Sequence, residues 1–208
     1  MQLSVTYIII GITAVVSLTA LSNGDLFRKL EYNPYLVYHR KQWYRYFSHA
    51  LIHADLFHLF INMFVLYMFG AFTERFFAQM YGTKGLLYFG LIYLGGILFA
   101  SLPAIKKHRD NPSYNAVGAS GAVSAVVFSA ILINPVMKLY LFFALPIPAF
   151  VFGALYLYYE YYMDKKGGGR IAHDAHFWGA IYGVAATIAF EPSLGLNFFT
   201  TIYYHYFG

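Results

Sequence analysis

The sequence lacks cysteine and contains few charged residues. None of its 208 residues is Cys, and Asp, Glu, Lys and Arg together make up 11% of the chain, whereas soluble domains carry about 25%. The absence of cysteine excludes disulfides, thiolate metal sites and a cysteine nucleophile. The shortage of charge, together with 60% hydrophobic residues, 21 Phe and 21 Tyr, indicates an integral membrane protein.

Acidic residues are the scarcer of the charged residues, with 9 Asp and Glu against 14 Lys and Arg. The basic residues form short clusters between apolar runs, a distribution typical of contact with anionic lipid headgroups. We therefore expect the lipid bilayer as a partner and no binding of nucleic acid. The sequence leaves the oligomeric state open.

Charge-poor runs predict where the chain crosses the membrane. A spanning helix needs about 20 mostly apolar residues, and the sequence predicts an all-α, polytopic protein in which residues 1–208 form a single domain, a bundle of six transmembrane helices. The long aromatic and basic connection after the first span predicts an interfacial loop with short helices, and the C-terminal run is expected to lie along the interface. The predicted spans are Leu3–Leu21, Leu56–Thr73, Gly85–Pro103, Val117–Ile133, Leu139–Tyr159 and Ala175–Phe190.

Polar side chains inside or beside these spans are costly and commonly functional or paired. They fall into three clusters: His49, His53, His58 and Asn62; Ser120 within Gly118-Ala119-Ser120-Gly121; and His173, Asp174 and His176. A lone Ser in a Gly/Ala-rich span is more often a packing residue than a nucleophile. His39, His49 and His205 are interpreted as structural.

The combination of clusters favours chemistry over packing. Gly121, Ala125 and Ser129 are spaced by four, as are Gly179 and Gly183, so the fourth and sixth helices should pack closely through small faces. Ser120 and His176 would then come within hydrogen-bond reach, as a nucleophile and its general base.

No carboxylate is evident for a triad, because Asp174 should point to a different helix face from His176, and a Ser-His dyad is therefore predicted. Asn62, His58 and the Ser120 N–H are the candidate oxyanion donors. Ser120 does not lie in a G-x-S-x-G elbow, since Ala122 replaces the second glycine, which disfavours an α/β-hydrolase.

With these residues the sequence resembles the rhomboid family of intramembrane serine proteases, in the bacterial form with a six-helix core. The segments "YRYFSHALIHADLFHLFINM", "GASG" and "AHFWG" resemble the first loop and second helix, the nucleophile motif and the base motif. The resemblance implies hydrolysis of other proteins' transmembrane segments by Ser120 and His176, with no cofactor or metal. It also implies a structural role for Glu74 and substrate access between the second and fifth spans.

The same resemblance implies a multi-pass protein of the bacterial cytoplasmic membrane, with its site open to the extracytoplasmic side. The charge pattern argues otherwise, because most basic residues lie in the odd-numbered connections, which the positive-inside tendency would place in the cytoplasm. We give the motif set more weight. Two further departures are Ser124, where many relatives carry an aromatic residue that Phe128 or Phe177 would have to replace, and Tyr44 within a Trp-Arg pair.

Two alternatives stay open. The imidazoles of His49, His53, His58, His173 and His176 suit a metal-binding transporter or metalloprotease, although no H-E-x-x-H motif is present. An inactive relative that binds transmembrane clients without cleaving them is the other alternative, favoured only by Ser124.

Overall fold

A computed structural model describes residues 4–141, 144–167 and 172–208. The chain is mainly helical, with a short β-hairpin formed by residues 138–141 and 145–148. The helices are α1 (Val5–Leu21), α2 (Gly24–Leu30), α3 (Pro34–Arg40), α4 (Arg45–Ser48), a 3₁₀ turn (His49–Leu51), α5 (Leu56–Tyr81, π-helical over Leu66–Gly70), α6 (Thr83–His108), α7 (Ser120–Ile133), α8 (Ala149–Lys166), α9 (His173–Phe190) and α10 (Ser193–Tyr206). The hairpin strands are β1 (Lys138–Leu141) and β2 (Leu145–Pro148).

Apolar helices long enough to cross a bilayer are present, as the composition predicts. Within the described residues, α5 and α6 each reach 26 residues with high hydropathy, and α9 with α10 make a third candidate if that pair, bent by 107°, is one span. α1 and α7 are shorter apolar helices. These helices indicate an integral membrane protein. The count of six spans stays a prediction.

Glu74 in α5 holds the start of α1. Its carboxylate accepts hydrogen bonds from Thr6 Oγ1 at 2.6 Å, from the Thr6 and Val5 N–H groups at 2.8 Å, and from Ser4 Oγ at 2.7 Å. The first N–H groups of a helix have no partner within the helix. The carboxylate satisfies two of them, which agrees with the structural role expected for this residue.

The connection between α1 and α5 contains the short helices that its sequence predicts. Buried Arg45 fixes it by donating to the Arg28 and Glu31 carbonyl oxygens at 3.0 and 2.5 Å, while Trp43 is 65% exposed. Burial lowers the pKa of His49 to about 4, so this imidazole is neutral at pH 7. The backbone carbonyl oxygen of His49 accepts a hydrogen bond from the Gly118 N–H at 3.0 Å. This bond attaches the loop to the segment that precedes Ser120.

The hairpin is a departure from the all-α prediction and shortens the predicted fifth span. β1 and β2 are antiparallel, with Lys138 opposite Pro148 and Tyr140 opposite Pro146. Proline has no N–H to donate and disrupts a helix interior, so the two prolines favour an extended segment. The helix begins only after Pro148, and Glu160 consequently lies inside α8, one residue past the end of the predicted span.

α7 lies at the centre of the fold, packed against α9 and α6. Its residues from Gly121 to Leu132 are all buried. Close approach requires the glycines of α9, because an added Cβ at Gly179 would collide with the Gly121 carbonyl oxygen, and one at Gly183 with that of Ala125. The predicted packing of the fourth and sixth helices through small faces is confirmed.

Candidate active site

Ser120 is the first residue of α7, and the turn before it is built around Gly118. Gly118 has φ +113°, a region that side chains rarely adopt, and an added Cβ would lie 2.7 Å from His58 Cε1. The ring of His58 therefore packs against the backbone two residues before Ser120. This turn leads the chain from the Gly118–His49 hydrogen bond into α7.

Ser120 and His176 lie together, at the beginnings of α7 and α9. Ser120 Oγ is 2.8 Å from His176 Nε2, the geometry required of a nucleophile and its base. The His176 side chain is 17% exposed, so the pair is sheltered yet reachable. The spacing of small residues predicts this proximity, while the catalytic roles stay predictions.

A carboxylate reaches this pair, and the expectation that none would do so is wrong. Glu160 Oε1 in α8 lies 3.1 Å from His176 Nδ1, on the opposite side of the ring from Ser120. The Glu160 side chain is only 4% exposed. Ser120, His176 and Glu160 thus form a continuous hydrogen-bonded series of hydroxyl, imidazole and carboxylate.

Asp174, the carboxylate nearest to His176 in sequence, has other partners. It accepts from Lys107 Nζ at 3.0 Å and from the Ala175 N–H at 2.9 Å. Glu160 was not among the predicted site residues, because the predicted fifth span ends one residue earlier, at Tyr159. The available signal was an ionisable residue in a Tyr-rich apolar run, since such a residue at membrane depth is a functional candidate by default.

The support for His176 differs from the aromatic contacts expected in place of Ser124. Ser124 Oγ lies 3.0 Å from the Tyr156 hydroxyl. The ring of Phe128 packs on Tyr156 at 5.7 Å, and that of Phe177 on Tyr161 at 6.2 Å. Glu160, one turn after Tyr156 in α8, is the residue that holds the imidazole.

The predicted oxyanion donors differ in their hydrogen-bond partners. The Ser120 N–H lies in the first helical turn, where backbone donors have no partner within the helix. Asn62 is buried and one of its amide hydrogens is donated to the His58 carbonyl oxygen at 3.0 Å, which leaves the second amide hydrogen. His53 is fully buried. Its Nε2 accepts a hydrogen bond from the Ala119 N–H at 3.4 Å, and its Nδ1 lies 3.3 Å from Ser17 Oγ.

A cavity reaches Ser120 from the α6 side. Its lining includes four polar residues, Ser101, Tyr114, Ser120 and Asp174, together with small apolar residues such as Ala100. The space is therefore suited to water or to a small side chain beside Ser120.

Within the part of the chain that the structure describes, one group of residues could hold a metal ion. A ligand atom from each of Glu160, His173 and His176 lies within 4.8 Å of the others. His49, His53 and His58, which the metal alternative also includes, are not part of this group. Of the five imidazoles in the metal alternative, those of His173 and His176 are hydrogen-bonded to a carboxylate, that of Glu160.

Comparison with known proteins gives two matches. A family model described as Rhomboid domain matches residues 40–193, most of the chain, including Ser120, Glu160 and His176. A protein named RHOMBOID-like protein 12, mitochondrial, from Arabidopsis thaliana, is 30% identical over 152 residues, which cover 66% of this chain and 43% of the relative. The chain therefore spans less than half of that relative's length.

Proposed function

This chain belongs to the rhomboid family, and we propose that it is an intramembrane serine endopeptidase, which hydrolyses peptide bonds in or near the transmembrane segments of other proteins. The observation that carries the proposal is the 2.8 Å contact between Ser120 Oγ and His176 Nε2. Glu160 on the far side of the imidazole makes this arrangement a triad in place of the dyad expected from the sequence.

Glu160 supports the base by fixing the tautomer of His176. When Nδ1–H donates to Glu160 Oε1 at 3.1 Å, the lone pair of Nε2 faces Ser120 and can accept its proton. The carboxylate then stabilises the imidazolium that forms. A protonated Nε2 would be unable to act as the base, so the position of this one proton decides whether the site works.

The reaction follows from these contacts in two steps. Ser120 Oγ bonds to the scissile carbonyl carbon as its proton passes to His176 Nε2, and the proton then passes to the leaving amine as the peptide C–N bond breaks. Water attacks the resulting ester, gives a proton to Nε2, and releases the second product as Ser120 recovers its proton. Two half-reactions of lower barrier replace one difficult hydrolysis.

Each tetrahedral intermediate carries an oxyanion that needs hydrogen-bond donors. The proposal assigns this role to the Ser120 N–H, with the free amide hydrogen of Asn62 and the ring of His58 as side-chain donors. The unpaired N–H groups and the dipole at the start of α7 favour negative charge there. Such preorganised donors are worth about 10²- to 10³-fold in rate each.

Transmembrane proteins are the proposed substrates. A peptide bond in an intact helix has its carbonyl hydrogen-bonded and shielded, so segments weakened by glycine, with small side chains near the scissile bond, suit the site best. We propose access between α5 and α8, and an active site open to the extracytoplasmic face. The bacterial cytoplasmic membrane as the location stays a prediction.

Labelling by a fluorophosphonate tests the proposal. We expect the full-length protein in detergent to be labelled at Ser120, as shown by mass spectrometry, and labelling to be lost in Ser120→Ala and His176→Ala. Ser129→Ala is the matched control, because Ser129 is a buried serine of the same helix that contacts Thr187 Oγ1 at 2.7 Å and lies away from His176. Full labelling of folded Ser120→Ala would contradict the proposal.

Cleavage of a single-span substrate in proteoliposomes gives the second measurement. The wild-type protein should cut within or beside the span, and mass spectrometry of the two products identifies the bond. A well-folded wild-type protein that neither labels nor cleaves would favour the alternative of a relative that binds clients without hydrolysing them.

A further inference from the structure

Glu160 has a second imidazole partner that the proposed reaction does not use. His173 lies one turn before His176 on α9, and its Nδ1 is 2.6 Å from Glu160 Oε2, while His176 Nδ1 faces Oε1. The side chains of His173 and Glu160 are 6% and 4% exposed. Two imidazole nitrogens and a carboxylate therefore converge in a sheltered space.

We propose that this cluster is an inhibitory site for a divalent metal ion of the Zn²⁺ class. Its ligands would be the Nδ1 atoms of His173 and His176 and a carboxylate oxygen of Glu160, and its inhibitory effect rests on the proposed protease function. Two imidazoles and one carboxylate are a ligand set that zinc accepts with a fourth position left for water. Among the described residues, this is the one group in which three such ligand atoms lie together.

The geometry requires only small movements. Zinc binds imidazole nitrogen and carboxylate oxygen at about 2.0–2.2 Å, so the ligand atoms around it lie slightly farther apart than a direct hydrogen bond. The two Glu160 contacts are 2.6 and 3.1 Å, and a modest outward shift of the carboxylate makes room for the ion. The partly exposed His176 offers a path from the active-site opening.

Binding of the metal would invert the role of His176. The working tautomer carries its proton on Nδ1 and its lone pair on Nε2, facing Ser120. A metal on Nδ1 takes the lone pair there, and the imidazole proton moves to Nε2 with no net gain or loss. Nε2–H then donates to Ser120 Oγ and cannot accept its proton, while Glu160 is occupied by the metal.

The other neighbouring imidazoles lack this arrangement. The rings of His53 and His58 lie 4.9 Å apart, but both ring nitrogens of His53 already face Ser17 and the Ala119 N–H. His39 Nε2, in α3, lies 3.0 Å from Asp110 Oδ1, and both side chains are exposed. His39→Gln is therefore a suitable control for zinc binding at the surface.

Direct metal binding is the first part of the test. We expect chelator-washed full-length protein in detergent to bind one Co²⁺ with the visible absorption of a tetrahedral site, and Zn²⁺ to displace it. His173→Gln and Glu160→Gln should each weaken binding at least about tenfold, since even outer partners of metal ligands are worth 10- to 100-fold in affinity. Ser120→Ala and His39→Gln should bind as the wild type does.

The rate of fluorophosphonate labelling is the second part, with each protein normalised to its own metal-free rate. Zn²⁺ should slow labelling of the wild type and of His39→Gln, a chelator should restore the rate, and His173→Gln should need at least about ten times more Zn²⁺ for the same inhibition. Equal metal binding by the wild type and both ligand variants would overturn the proposed site. Equal inhibition of the wild type and His173→Gln would overturn its inhibitory role.

The two parts separate this inference from the proposed function. A protein that never labels, with or without a chelator, would count against the protease, while the Co²⁺ spectra would still decide whether the site exists. Circular dichroism and thermal melting of each variant identify any that fails to fold, and the binding result then rests on the other ligand variant.

Discussion

The α7–α9 interface and helix α8 hold their parts of the site in different ways. α7 and α9 meet through glycine, with backbone against backbone at Gly179 and Gly183. In α8, by contrast, only Ala149, Gly153 and Glu160 are buried, and its other face exposes large side chains: Leu155, Tyr158, Tyr159, Tyr161 and Tyr162.

The difference assigns distinct tasks to the two regions. Ser120 and His176 lie on the closely packed pair, so their distance is fixed by the centre of the fold. Glu160 lies on the peripheral helix, so a displacement of α8 would release His176 Nδ1 without separating the imidazole from Ser120. Ser120 and His176 are thus positioned by packing, while the position of the Glu160 carboxylate depends on where α8 lies.

Removing the charge of Glu160 is expected to have the largest effect. We predict that Glu160→Gln lowers the maximal labelling rate by between about 10-fold and 10⁴-fold, the upper figure being the loss when the acidic member of a serine protease triad no longer fixes the tautomer. The probe concentration for half-maximal labelling should change little, because Glu160 acts through His176. Labelling kinetics in detergent measure both quantities.

Two variants control for simple loss of structure. Glu160→Asp keeps the charge and should recover part of the rate. Glu191→Gln removes a carboxylate that contacts the Tyr81 hydroxyl at the far end of α9 and should keep most of the rate. A Glu160→Gln protein with the wild-type rate would mean that packing alone orients His176, and the contrast between the two regions would lose its functional meaning.

A methyl group added at the helix interface should have the next largest effect, on stability. Gly179→Ala places a Cβ against the Gly121 carbonyl oxygen, and overpacking of this kind costs about 1–3 kcal/mol. Gly90→Ala in α6 is the control, because nothing lies within 4 Å of its added Cβ. It should be neutral or gain up to about 1 kcal/mol, the helix preference of Ala over Gly.

Thermal melting in detergent, followed by residual labelling after heating, distinguishes these variants. Gly179→Ala should melt earlier than the wild type, and Gly90→Ala at the same temperature or later. Equal melting temperatures for the two variants would show that the α7–α9 interface yields as easily as a lipid-facing surface.

The same contrast explains how much of the site the sequence predicts. Spacing by four of small residues on two helices predicts a close pair, and the polar residues at their ends, Ser120 and His176, follow from that geometry. α8 gives no such signal, because tyrosines lie both on its exposed face and, at Tyr156, on the face that contacts α7. No periodicity shows which face meets α9, so the contact of Glu160 with His176 depends on tertiary packing.

The start of α8 was mispredicted for a local reason. A run of apolar residues from Leu139 suits a membrane span by composition, but Pro146 and Pro148 disfavour a helix interior. The hairpin that results moves the helix toward the C-terminus and brings Glu160 into it. Hydropathy averages over a window and does not register where proline stops a helix.

The ion pairs at the end of α8 should have the smallest effect of the three. Lys107 Nζ lies 2.7 Å from Asp164 of α8 and 3.0 Å from Asp174 of α9, and the Lys107 and Asp164 side chains are 43% and 37% exposed. Exposed pairs contribute about 0.2–1 kcal/mol and weaken as salt rises. Asp164→Asn should therefore lower the melting temperature slightly and show a small coupling to Lys107→Met. Lys107→Met should cost somewhat more, because the Asp174 side chain, which is only 10% exposed, also loses this partner.

A double-mutant cycle in low and high salt measures that coupling through the free energy of unfolding. We expect the coupling to shrink in high salt, and the labelling rate of Lys107→Met to stay near that of the wild type because Glu160 still contacts His176. A coupling well above about 1 kcal/mol that does not respond to salt would mean that the end of α8 is held as firmly as α9. In that case Glu160 would belong to the preorganised part of the site, and its position would no longer depend on a peripheral helix.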